Sequence, residues 1–152
     1  MRISSVVSLA ALPLALLSPS ALHAADSAPI DATTMQVLLI KAQHANLRDQ
    51  CYLYARLVHD GTEVAAQDIS SGDRAEAAHM LVAVAGYAAS LNQAMMENTR
   101  KLKEAEILLR ESAFYLHSAM LASALEDRPA MADALKSIDA AESKAMIAVF
   151  AH

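Results

Sequence analysis

From residue 33 onward, apolar side chains recur every three or four positions, the spacing that keeps one face of an α-helix against a core. Four segments carry the pattern, at about 33–69, 73–97, 99–127 and 129–150. In the first, Val37, Ile40, His44, Leu47, Cys51, Tyr54, Val58, Gly61 and Ala65 form a heptad-like seam that predicts a partner helix along its length. Thr33 and Gln36 have capping-box spacing at its start. Gly61 marks a candidate kink in a helix that would otherwise run ~55 Å.

Ser70-Ser71-Gly72 reads as a turn, and Asp73 with Glu76 three residues on predicts a second capping box. The next helix places Ala77, Leu81, Val84, Ala88, Leu91 and Met95 on one stripe, with Met80 and Tyr87 flanking it. Its opposite face is small, at Ala83, Gly86 and Ser90. The pattern then continues through Leu102, Ala105, Leu109, Ser112, Leu116 and Ala119, with Ile107, Phe114 and Leu121 alongside. A helix unbroken from Ala75 to Glu126 would reach ~78 Å, too long for a compact domain of this size, so a break is expected near Asn98-Thr99. Asp127-Arg128-Pro129 restarts the chain with a capping carboxylate and a first-turn proline. Met131, Leu135, Ile138, Ala145 and Val149 then point inward. Four helices joined by short turns predict an all-α, up-down-up-down four-helix bundle.

Composition supports the same class. Alanine and leucine dominate and methionine is plentiful, while three glycines, four prolines and no tryptophan leave few turn residues for a many-stranded sheet. The first 24 residues have a different character. Arg2, an apolar run from Val6 to Leu17, the breaker Ser18-Pro19-Ser20 and the small residue Ala24 predict a cleaved secretory signal peptide at 1–24, followed by a linker at 25–32. The expected mature chain is therefore periplasmic or secreted, has roughly 128 residues and carries no integral membrane segment. Loss of Arg2 takes the 12 Lys and Arg to 11, against 17 Asp and Glu, for a net charge of about −6. That balance argues against nucleic acid as a partner. The one basic cluster, Arg100-Lys101-Lys103, is followed by Glu104 and Glu106 and reads as a solvated face with local ion pairs.

The motifs for chemistry are few. Glu76-x-x-His79 puts a carboxylate and an imidazole on one helical face, as dinuclear carboxylate bundles do, but those use two such pairs. Because the turn centres near Ser71, Glu63 and His79 should stand at matching heights, with His59 one turn below and His117 in the same half. A divalent transition metal held by His59, Glu63, His79 and His117 is the alternative that follows, with a metal-binding or metal-sensing bundle as its function. Cys51, the single cysteine, sits on the first-helix seam with His44. It is expected either to fill space as a small apolar group or to form an intermolecular disulfide. Cys51, His44 and Gly86 are accordingly the candidates for an interface in self-association or with a protein partner. With no phosphate loop, nucleophile elbow or zinc-protease motif, the chain reads as a non-catalytic helical-bundle binding or interaction protein.

Overall fold

The structure, a computed structural model, describes Ile30, residues 32–95 and residues 100–151. The signal segment at 1–24 and nearly all of the linker lie outside the described residues. The described chain is all-helical, with five helices where the pattern predicts four: α1 Ala32–His44, α2 Leu47–Ser71, α3 Arg74–Ala94, α4 Leu102–Ala122 and α5 Arg128–Phe150. None of them is long and apolar enough to cross a membrane.

The additional helix arises because the predicted first helix divides at Ala45-Asn46. Asn46 is extended (φ −67°, ψ 154°), and its side-chain oxygen accepts the Asp49 amide at 3.1 Å. Its side-chain amide donates to Asp49 Oδ2 at 2.7 Å, and Gln50 Nε2 donates to the Ala45 carbonyl at 3.2 Å. The Asn46 side chain therefore caps α2 with both ends of its amide on Asp49 and starts a new helix inside an uninterrupted apolar pattern. Gly61 produces no second break: it is buried within α2. A Cβ at Gly61 would lie 2.8 Å from Val84 Cγ2, so this glycine sets how closely α2 and α3 approach.

α2 ends at Gly72 in the left-handed region (φ 87°), where a Cβ would be strained. The Gly72 amide donates to the Ile69 carbonyl at 3.2 Å and that of Asp73 to Asp68 at 2.8 Å, the paired bonds of a Schellman turn. The reciprocal box expected of Asp73 and Glu76 does not form, because the Asp73 side chain makes no cap hydrogen bond. Thr33 likewise lies inside α1, which opens at Ala32. The expected break at Asn98-Thr99 falls in residues 96–99, outside the described residues, between the end of α3 and the start of α4. Pro129 stands in the first turn of α5, and Asp127 pairs with Arg74 Nε at 3.4 Å instead of capping.

α2 packs against both α3 and α4, and α5 packs against the same two helices. Their shared core holds Leu81, Val84, Leu91, Leu109, Leu116 and Ile138, with much of the remainder alanine. The stripe predicted for α3 is buried from Ala77 to Met95. On α4, Ala105, Leu109, Ser112 and Leu116 are buried, whereas Phe114 and Leu121 are exposed. α1 packs on α2 through a separate small cluster in which Met35 and Ala42 meet Leu53 and Leu57. The seam predicted along the first helix is buried at Cys51, Val58, Gly61 and Ala65 but exposed at Val37, Ile40, His44 and Leu47. Two non-helical residues reset the helical phase, so the two halves of the seam face different ways.

Candidate functional site

The elbow between α1 and α2 opens into a cleft of about 640 Å³. Lys41 and His44 reach it from the last turns of α1, and Asn46 and Asp49 border it from the start of α2. Tyr52 and Leu53 supply a partly apolar wall one turn further on. Lys101 closes the far side from just before α4, with its ammonium 4.5 Å from the Tyr52 ring centroid, a cation–π contact. Lys101 itself is held at φ 55°, left-handed for a residue that carries a side chain. The Arg100 amide donates to the Arg48 carbonyl at 2.9 Å and ties the approach to α4 onto the first turn of α2.

The electrostatics of this end oppose those of the chain as a whole. Lys41 and Lys101 line the elbow cleft of a protein whose formal charge is −5. Local pairing with Glu104 and Glu106 is the expectation for Arg100, Lys101 and Lys103, but Glu106 instead pairs with Arg110 at 3.2 Å. Among the described residues, neither Lys41 nor Lys101 has a carboxylate within 4.0 Å. Asp49 is the acidic residue on the cleft wall, and it is already engaged by Asn46. α2 begins beside the same space, which Asn46 and Asp49 border, and adds the positive end of a 25-residue helix.

A second polar cluster lies between α2 and α4. Asp60 is buried, with Arg56 Nη2 at 3.3 Å from one oxygen and His59 Nδ1 at 3.3 Å from the other. His59 Nε2 lies 3.7 Å from Glu111 Oε2, and the ring meets Tyr115 edge-on at 6.4 Å. The hydrogen bond to Asp60 holds the imidazole above its ordinary pKa; burial works against it, and Glu63, Asp60 and Glu111 add to it. Burial pushes the Asp60 carboxyl up, but His59 and Arg56 together overcome this and hold it below its ordinary value. The cluster is a charged clamp between two helices.

The residues proposed as metal ligands do not converge. His59 faces Glu111 and Tyr115 on α4, and Glu63 acts on it only through the field. His79 is exposed and borders a different cavity, of about 320 Å³, with Asp68, Glu76, Ala32, Met35 and Met80. His117 is exposed on α4. Among the described residues, no group of three or more His, Cys, Asp or Glu side chains is placed to hold a metal ion. The matching heights deduced from the hairpin say nothing about direction around each helix axis, and that is where the set separates.

Of the interface candidates, Cys51 is completely buried in the main core, where burial pushes its thiol up to about 12. A disulfide to a second chain would require that core to open. His44 is exposed and lines the cleft. Gly86 is exposed, with open space where a Cβ would stand. Sequence reasoning missed Lys41, Asn46, Tyr52 and Lys101. The Asn46-x-x-Asp49 spacing was the available signal for the elbow. Compared with known proteins, the chain matches no family model, no curated protein and no solved structure.

Proposed function

We propose that the chain is an exported, non-catalytic binding module of the periplasm or cell exterior. In this reading α2 to α5 form an up-down-up-down four-helix bundle, α1 is an arm folded onto it, and the elbow cleft takes a small ligand. The observation that carries the proposal is the cleft itself. Its volume lies within the range typical of small-molecule sites. Its wall combines an aromatic ring and a leucine with a few convergent polar groups, the usual division between affinity and orientation. The signal-like N-terminus supports the compartment, and the short connections between helices support the bundle topology.

The test is a thermal-shift screen of the mature chain against a broad panel of neutral, cationic and anionic small molecules. At least one ligand is expected to raise the melting temperature and to lose its effect in Tyr52→Ala. A panel without any stabilising member, or stabilisation that Tyr52→Ala leaves intact, would refute the binding-module reading. Cell fractionation tests the compartment: recovery of the full-length chain, with its first 24 residues, from the cytosol would contradict export.

A further inference from the structure

Resting on that reading, we infer that the elbow cleft is built for an organic oxyanion: a small molecule with a carboxylate or phosphate group held between Lys41 and Lys101, its body against Tyr52 and Leu53. Three independent observations converge on this class. The first is charge. Two lysines without carboxylate partners among the described residues, Lys41 and Lys101, face one space. In an acidic protein, a confined basic end focuses the field and draws anions there.

The second is backbone. α2 begins at the cleft with Asn46 and Asp49 on its border, so the positive end of its macrodipole favours an anion there. The third is size and lining. A cleft of about 640 Å³ far exceeds a bare inorganic ion, and the Tyr52 ring and Leu53 give the excess a surface suited to hydrocarbon. Lys101 lies over the Tyr52 ring, so an entering aryl or alkyl group would share that face with the ammonium that pairs its anionic head.

Asp49 sets the upper limit of ligand charge. With Lys41 and Lys101 opposed by Asp49, the cleft wall carries a net charge of about +1 when His44 is neutral. That suits a monoanion or dianion and disfavours a polyphosphate. The Asn46 amide already occupies Asp49 Oδ2, which leaves the lysines as the groups available for the head.

The experiment is an NMR amide-shift titration of the whole mature chain with benzoate and phenyl phosphate, alongside inorganic phosphate, benzyl alcohol and benzylamine. Saturable shifts are expected from both aryl anions at residues 41–53 and 100–101, weakened by added salt. Inorganic phosphate should bind more weakly than phenyl phosphate, because it leaves the Tyr52 wall empty. Lys41→Gln and Lys101→Gln should each weaken aryl-anion binding about tenfold, the loss of one charge-assisted hydrogen bond, and Lys101→Arg should retain most of it. Both lysines are exposed, so the variants should keep the wild-type circular dichroism spectrum.

Benzyl alcohol or benzylamine binding at the elbow as well as the anions do would overturn the oxyanion assignment and leave the binding module standing. Shifts from no probe at residues 41–53 would overturn the oxyanion assignment, and the thermal-shift panel would then decide the binding module separately. Co-sedimentation with phosphatidylglycerol vesicles, without any response to phenyl phosphate, would move the anion to a lipid headgroup and overturn the soluble ligand.

Discussion

Two glycines in mid-helix positions should respond to the same substitution with opposite signs. Replacing a helical glycine by alanine ordinarily gains about 1 kcal/mol, because the chain loses less conformational entropy on folding. At Gly86 nothing lies within 4 Å of the added Cβ, so Gly86→Ala should realise that gain. At Gly61 the Cβ would stand 2.8 Å from Val84 Cγ2, 3.3 Å from Met80 Sδ and 3.4 Å from Met35 Cε. The methionines can swing aside, but Val84 is fully buried and stiff about χ1, so the overlap with it must be relieved by moving α3. Overpacking of this kind costs about 1–3 kcal/mol, which exceeds the propensity gain. Gly61→Ala should therefore be net destabilising by about 1 kcal/mol. Urea denaturation with unchanged m-values reads both variants directly, and each should shift Tm by about 3–5 °C, in opposite directions. In a cycle with Val84→Ala, the clash at Gly61→Ala should largely disappear, giving a coupling energy of about 1 kcal/mol or more. Stabilisation by Gly61→Ala equal to that of Gly86→Ala would refute the close approach of α2 to α3 at this point.

The Cys51 thiol, buried and raised to about 12, should resist alkylation in the folded protein near neutral pH and react fully once guanidinium unfolds it; rapid reaction in buffer would place it outside the core. His59 has a raised folded pKa, so its stabilisation is complete below the unfolded value of about 6.5 and is lost as pH rises through the folded one. Urea midpoints across that window should fall with pH in the wild type and stay flat for this contribution in His59→Asn. Asp60 has the opposite sign: its lowered pKa gives stability that is present above the unfolded value of about 3.9 and lost as pH falls through the folded one, a loss that Asp60→Asn should remove. Asn46→Ala should cost about 0.5–2 kcal/mol in chemical denaturation, and more than Asp73→Ala, because only Asn46 makes a side-chain cap bond.

The all-helical class was legible because apolar spacing reports an element's inward face wherever that element is unbroken. Leu81, Val84, Ala88 and Leu91 on α3, and Met131 and Ile138 on α5, are buried as their periodicity requires. The elbow was not legible, because Val37, Ile40, His44, Leu47 and Cys51 keep their spacing across it. A local hydrogen-bonded cap outweighed the continuous pattern, and Asn46 is the residue that made it. Asp60 was equally hidden: it lies off the apolar seam, yet it is buried against Arg56 and His59. The candidate site was legible only at His44. Lys41 and Tyr52 line one cleft because the chain turns between them, and Lys101 joins them from some fifty residues away, a distance no periodicity spans.

The small cluster that fastens α1 gives the molecule two levels of cooperativity. Met35 and Ala42 meet Leu53 and Leu57, while Val84, Leu109 and Ile138 belong to a different assembly of side chains. Tyr54, Met80 and Tyr87 pack against both sets, so α1 lifts away by breaking the first set and its contacts with these three, and its amides should exchange with solvent at a smaller opening free energy than those of α2 to α5. The cleft wall is divided across that same line, with Lys41 and His44 on the detachable side and Tyr52 and Lys101 on the fixed one. Whatever bridges the two sides would act as a staple: it would slow amide exchange throughout α1 and leave the rates in the main core unchanged.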